Sequence, residues 1–142
     1  MQHPHTRNRG VTLVEMMVVL AIAAIIIGIG VAYLDTHDAR ARSAAYTMKT
    51  RLMGAKSTAV KLNENVQVNF DTDNEVYNAT SGGSLLFEVH LDQGVDLSSA
   101  SSVTFTPLGM ANATSIVLKG LTGGNYTISV NTIGRIQLQR IP

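Results

Sequence analysis

Residues 11 to 34 form an apolar run whose one charge is Glu15, and a short polar leader precedes it. If helical, the run measures roughly 36 Å at about 1.5 Å per residue, enough to cross a bilayer core of about 30 Å. A carboxylate inside such a run is costly unless a partner or a proton neutralises it, so Glu15 reads as a functional residue. The leader MQHPHTRNRG carries Arg7 and Arg9 and no apolar segment of its own, and no small-residue cleavage site follows the run. An ordinary secretory signal needs both. Basic residues before the run and Asp35 and Asp38 after it place the N-terminus in the cytoplasm and the remainder outside. The plain reading of these features is a signal-anchored protein.

The junction itself is more specific. Gly10 is followed without a spacer by Val11, Thr12, Leu13, Val14 and Glu15. This stretch resembles the class III signal of type IV prepilins and of the pseudopilins of type II secretion. The resemblance implies cleavage after Gly10 by a prepilin peptidase and N-methylation at Val11. The family's usual first residue is Phe or Met, so Val11 is a departure. The resemblance also gives Glu15 an assembly role, pairing with the N-terminal amine of its own or a neighbouring subunit. A Glu15 that reaches toward the headgroups is the alternative. Gly28 and Gly30 fall late in the run, where many type IV pilins have a helix-breaking Pro. This pair is either a soft point in the helix or a close-packing surface for other membrane helices.

Past Asp35 the pattern becomes amphipathic. Ala41, Ala45, Met48, Leu52, Ala55, Ala59 and Leu62 recur at steps of four and three, one face of a helix that continues to about Leu62. Arg42, Lys49 and Lys56 make a second line at sevens, a solvated face or a contact with acidic patches of neighbours. The Asn63-Glu64-Asn65 triplet ends the helix. The period then becomes two. Strands are expected at Val66–Phe70, from Val76, at Leu85–Leu91, around Val103–Phe105, at Ser115–Leu118, at Tyr126–Val130 and at Gly134–Leu138. Thr80–Ser84 reads as a loop, Asp92–Ser101 as a polar Ser-rich stretch, and Gly123-Gly124 as a hairpin turn.

Three segments extend the resemblance. Ala55-Lys56-Ser57-Thr58-Ala59-Val60 with Val66-Gln67-Val68, then Phe105-Thr106-Pro107-Leu108-Gly109, then Gly134-Arg135 look like the GspH/FimT family. That family includes the H-type minor pseudopilin of type II secretion and related minor pilins. It implies an α+β, type IV pilin-like fold, with one long N-terminal helix packed on an antiparallel β-sheet head. The divisions expected are a leader at 1–10, a transmembrane and assembly half-helix at 11–34, an amphipathic half-helix at 35–62 and a β head at 63–142.

Composition narrows the function. A chain of 142 residues holds one domain plus the helix, and with no Cys the core must suffice without disulfides. The basic residues concentrate between 36 and 62, and the acids from 63 onward, so the head is mildly acidic. That opposes general nucleic-acid binding. Some FimT-branch members bind DNA through Gly-Arg-x-Arg; here Gln137 stands at the second Arg, which leaves Arg135 and Arg140 as weak DNA-contact candidates. Asp71-Thr72-Asp73-Asn74-Glu75 has oxygen ligands at calcium-like spacing but reads better as a turn. His37 and His90 are isolated, and no Ser, Thr or Lys sits in a nucleophile motif. No enzyme activity, cofactor or metal is expected.

The expected role is structural: a subunit of a type II secretion pseudopilus. Its partners are other pseudopilin or pilin subunits, the prepilin peptidase and the inner-membrane assembly platform. The expected location is the bacterial inner membrane, single-pass, with the head periplasmic. A minor pilin of a type IV pilus, serving adhesion, motility or DNA uptake, is the alternative, and a bitopic anchor with a ligand-binding or enzymatic head a third.

Overall fold

The structure, a computed structural model, describes residues 12–121 and 123–141, with the backbone alone for 30–37. Gly10 and Val11 therefore lie outside the described residues. The chain forms two compact units, Met1–Leu34 and Asp35–Pro142. One helix, α1 (Leu13–Leu62), contributes to both.

In the first unit the apolar side chains from Leu13 to Ile29 are exposed almost throughout. Among the described residues no helix is long and apolar enough to cross a membrane. The described apolar side chains, 13–29, extend roughly 26 Å at about 1.5 Å per residue, just short of a bilayer core of about 30 Å.

In the second unit α1 buries the expected stripe: Ala41, Ala45, Met48, Leu52, Ala55 and Ala59 are all within the core. Leu62 is not; it is 52% exposed. The helix stops there because Asn63 turns left-handed at φ 54°, and the Glu64 N–H donates to the Ala59 carbonyl at 3.2 Å. That six-to-one bond is the Schellman closure of a helix C-terminus, and Asn tolerates the left-handed position better than most residues.

Eight strands follow: β1 (Val66–Asp71), β2 (Val76–Ser81), β3 (Ser84–His90), β4 (Val95–Ser99), β5 (Val103–Phe105), β6 (Thr114–Gly120), β7 (Asn125–Val130) and β8 (Ile136–Ile141). They form two antiparallel sheets rather than one, ordered β3-β2-β1-β5 and β4-β6-β7-β8. The chain alternates between them: β4 leaves the first sheet for the second, and β5 returns. Val66, Val68, Tyr77, Ala79, Val103 and Phe105 face inward from the first sheet. Leu97, Ile116, Leu118, Ile128 and Val130 do so from the second, and all join the helix stripe in one core.

Three strand expectations need correction. Thr80–Ser84 is not a loop: β2 runs to Ser81 and β3 starts at Ser84, joined by Gly82-Gly83 alone. Both glycines have positive φ, which a two-residue hairpin with Ser81 paired to Ser84 requires. The polar stretch Asp92–Ser101 contains β4, whose Val95 and Leu97 are buried. Gly134-Arg135 lies before the last strand, not within it. Gly134 sits at φ 69°, its N–H donates to the Asn131 carbonyl, and the Asn131 side chain accepts from the Arg135 N–H at 2.8 Å. That turn delays β8 to Ile136.

Candidate assembly site

Thr12 and Glu15 build the start of α1 together. The Glu15 N–H donates to Thr12 Oγ1 at 3.2 Å, and the Thr12 N–H donates back to Glu15 Oε2 at 3.3 Å. The Thr12 hydroxyl lies 3.4 Å from the same oxygen. This reciprocal pair is a capping box, which satisfies two orphan donors of a helix N-terminus. It also sets the carboxylate against the positive end of the helix dipole. Thr-x-x-Glu is a readable signature of this motif, and it identifies Thr12 as the capping partner of Glu15.

Farther along the same unit, α1 is unbroken through Gly28 and Gly30. A Cβ added at Gly28 would meet nothing within 4 Å, so no contact within the chain requires the glycine. The surroundings of Gly30 lie outside the described residues.

In the head, Lys56 departs from its expected place on an open basic line. Its ammonium donates to the Gly134 carbonyl at 2.9 Å and is partly buried. Gly109 and Gly134, both at positive φ, meet beside it: a Cβ on Gly134 would strike the Gly109 carbonyl oxygen, and one on Gly109 would lie 3.2 Å from Lys56 Cε. The Pro107–Gly109 turn and the Ile133–Arg135 turn are thereby clamped on the helix. Arg42 instead lies over the Tyr46 ring at 5.8 Å.

The two arginines considered for DNA do not form one cluster. Arg140 reaches Asp38 at 3.3 Å, whereas Arg135 stands exposed beside Lys56. Arg135 sits in the turn before β8, and Arg140 lies near the far end of that strand. Gln137 is exposed on the face of β8 opposite Ile136.

The acidic turn is internally satisfied. Asp71 Oδ1 accepts from the Asp73 and Asn74 N–H groups at 3.0 and 3.1 Å, and Oδ2 accepts from the Asn74 amide at 2.7 Å. The Asn74 side chain, then its backbone, holds the Asp71 carboxyl below the usual carboxylate range. Glu75 points elsewhere: its carboxylate accepts from the Leu97 N–H at 2.6 Å, tying the β1–β2 turn of one sheet to β4 of the other. Among the described residues no cluster of His, Asp or Glu could hold a metal ion. His90 Nε2 lies 3.6 Å from the Glu88 carboxylate; His37 lies among the residues whose side chains are not described.

Burial pushes the Tyr77 hydroxyl up to about 12, against a small opposing effect of Arg51. Tyr77 stacks on Phe70 at 6.1 Å and meets Phe87 edge-on at 6.3 Å, with the Arg51 guanidinium 5.5 Å from the Phe87 ring centre.

Comparison with known proteins agrees with this architecture. Residues 5–31 match the prokaryotic N-terminal methylation motif, and residues 44–134 match the type II transport protein GspH. Among solved structures, the minor pseudopilin EpsH from the type II secretion system of Vibrio cholerae aligns with TM-score 0.61 at 13% identity. That alignment covers 71% of this chain and 97% of that one. The type IV minor pilin FimU of Pseudomonas aeruginosa aligns with TM-score 0.58 at 21% identity, covering 69% and 87%. No curated protein matches the sequence. The GspH match spans most of the head and its helix, and the fold is the pilin-like α+β arrangement of both neighbours: the chain belongs to the type II transport protein GspH family.

Proposed function

We propose that the chain is a structural subunit of a type II secretion pseudopilus, matured by removal of residues 1–10 and methylated at Val11. The observation that carries this reading is the lone carboxylate Glu15 in the first turn of an otherwise apolar, exposed helix surface, within a matched methylation motif. An exposed apolar helix surface of this kind needs lipid or other helices around it. Residues 11–34 span the inner membrane with the N-terminus cytoplasmic. Residues 35–62 continue the helix as its amphipathic half, and residues 63–142 form the periplasmic β head. Prepilin peptidase and the inner-membrane assembly platform are the partners before polymerisation, and neighbouring subunits the partners after it. Glu15 pairs with the N-terminal amine of a neighbour. Gly28 and Gly30 serve either bending or close helix packing. The GspH match favours secretion over the type IV pilus alternative, since the likeness to FimU is one of fold.

The test is Glu15→Gln and Glu15→Ala in cells, read by cross-linking into sheared filaments with membrane fractionation as control. A buried pair broken from one side costs roughly 3–5 kcal/mol. Both variants should therefore stay membrane-embedded and folded yet be missing from filaments. Normal incorporation of both would refute the pairing.

A further inference from the structure

Beside the clamp formed by Lys56 and Gly134 lies an open groove of about 640 Å³ between the last turns of α1 and the turn before β8. Met53, Val60, Ile133 and Ile136 give it an apolar floor, and Lys61 and Arg135 stand at its rim. No carboxylate lines it. Lys56 is committed to the Gly134 carbonyl and so shapes the wall. Lys61 and Arg135 form no salt bridge among the described residues. The neighbouring Pro107–Gly109 turn extends the apolar surface, with Leu108 85% and Ile133 68% exposed.

Contiguous exposed apolar side chains rimmed by polar ones mark contact surfaces. The rim charge then sets which contact fits: with cations alone on it, an acidic occupant lowers the energy and an uncharged or basic one does not. The floor narrows the choice further. It offers aliphatic side chains and no aromatic ring on which a base could stack, and two cations are few for a phosphate backbone. A groove of this volume is within the usual size range of a binding cleft, about 300–1,000 Å³.

We infer that this groove docks an extended peptide segment of a partner protein that carries both aliphatic side chains and carboxylates. The aliphatic groups lie on Met53, Val60 and Ile133, and the carboxylates meet Lys61 and Arg135. This inference concerns the head alone and stands independently of filament entry.

The probe is a dye-labelled, end-blocked hexapeptide alternating leucine with aspartate, titrated by fluorescence anisotropy against the full chain in uncharged detergent micelles. Saturable binding is expected, weakening as salt rises. Lys61→Glu and Arg135→Glu should each weaken it about tenfold or more, as for loss of a close charge pair. Ile133→Ser should weaken it as well, while Lys119→Glu, outside the groove, should leave it unchanged. Circular dichroism confirms that each variant is folded. Four results would each overturn the proposal: no saturable binding up to millimolar chain, unchanged affinity in the Lys61 and Arg135 variants, equal binding of a probe with serine for leucine, or stronger competition from a single-stranded oligonucleotide or anionic vesicles. The last would make the rim a general polyanion surface.

Discussion

Replacing Gly134 with alanine places a methyl group on the Gly109 carbonyl oxygen and within 3.0 Å of the Lys56 ammonium. The cost has two separable parts. At φ 69° any residue with a Cβ loses about 1–2 kcal/mol. The collision adds about 1–3 kcal/mol of overpacking, because the obstructing atom is backbone rather than a side chain that can swing aside. Relief of that collision parts the two turns and weakens the Lys56 bond to the Gly134 carbonyl. Gly83→Ala is the internal control: at φ 85° it meets nothing within 4 Å, so it carries the conformational part alone. Urea unfolding of a fragment comprising residues 35–142, which holds every core side chain among the described residues, should show Gly134→Ala costing about 1–3 kcal/mol more than Gly83→Ala. Equal losses would mean that the turns do not touch and that the clamp on α1 is not formed.

Three more expectations accompany this one. The Tyr77 phenol has its folded pKa raised from 10 to about 12, so the native state holds this proton more tightly than the unfolded chain. Stability from this group is intact below pH 10 and falls by about 2–3 kcal/mol as pH rises through 12, at 1.36 kcal/mol per unit. Unfolding curves across that window check it, and Tyr77→Phe should lack that part of the alkaline loss. Glu75→Ala should cost about 1–3 kcal/mol by leaving the Leu97 N–H without its acceptor, and the Leu97 amide should exchange faster in hydrogen-exchange NMR. Mass spectrometry of the chain from its native membrane should find Val11 at the terminus; an intact Met1 terminus would refute processing.

Much of the architecture is legible because it rests on local periodicity. The stripe from Ala41 to Ala59 repeats at steps of four and three, and burial follows it residue by residue. The pattern fails at Leu62 because left-handed Asn63 turns the chain away one residue later. β4 is hard to read for a different reason. Only Val95 and Leu97 alternate there, among Asp and Ser residues with weak strand preference, and its pairing with β6 supplies what local sequence lacks. The division into two sheets is a matter of partner choice between distant strands, which no single stretch encodes. The same holds for Lys56 and Gly134, which lie 78 positions apart. Their bond turns an apparently open cation into the anchor of a turn.

The N-terminal site is legible in a stricter sense, since both its members lie within four residues, and its geometry clarifies what Glu15 can do. The Thr12 N–H and hydroxyl approach the same oxygen, Oε2. Among the described residues no hydrogen bond engages Oε1. Under the proposed pairing, an incoming amine would have Oε1 open to it while Oε2 keeps the cap, so the two roles need not compete. This separates the two substitutions proposed above. Glutamine keeps one oxygen, enough to accept from the Thr12 N–H and retain the cap, but it loses the charge that attracts an amine. Alanine loses both. If the cap alone mattered, Glu15→Gln would assemble and Glu15→Ala would not. If charge pairing governs addition of a subunit, the two fail alike. The agreement or disagreement of the two variants thus assigns the role to the helix end or to the interface between subunits.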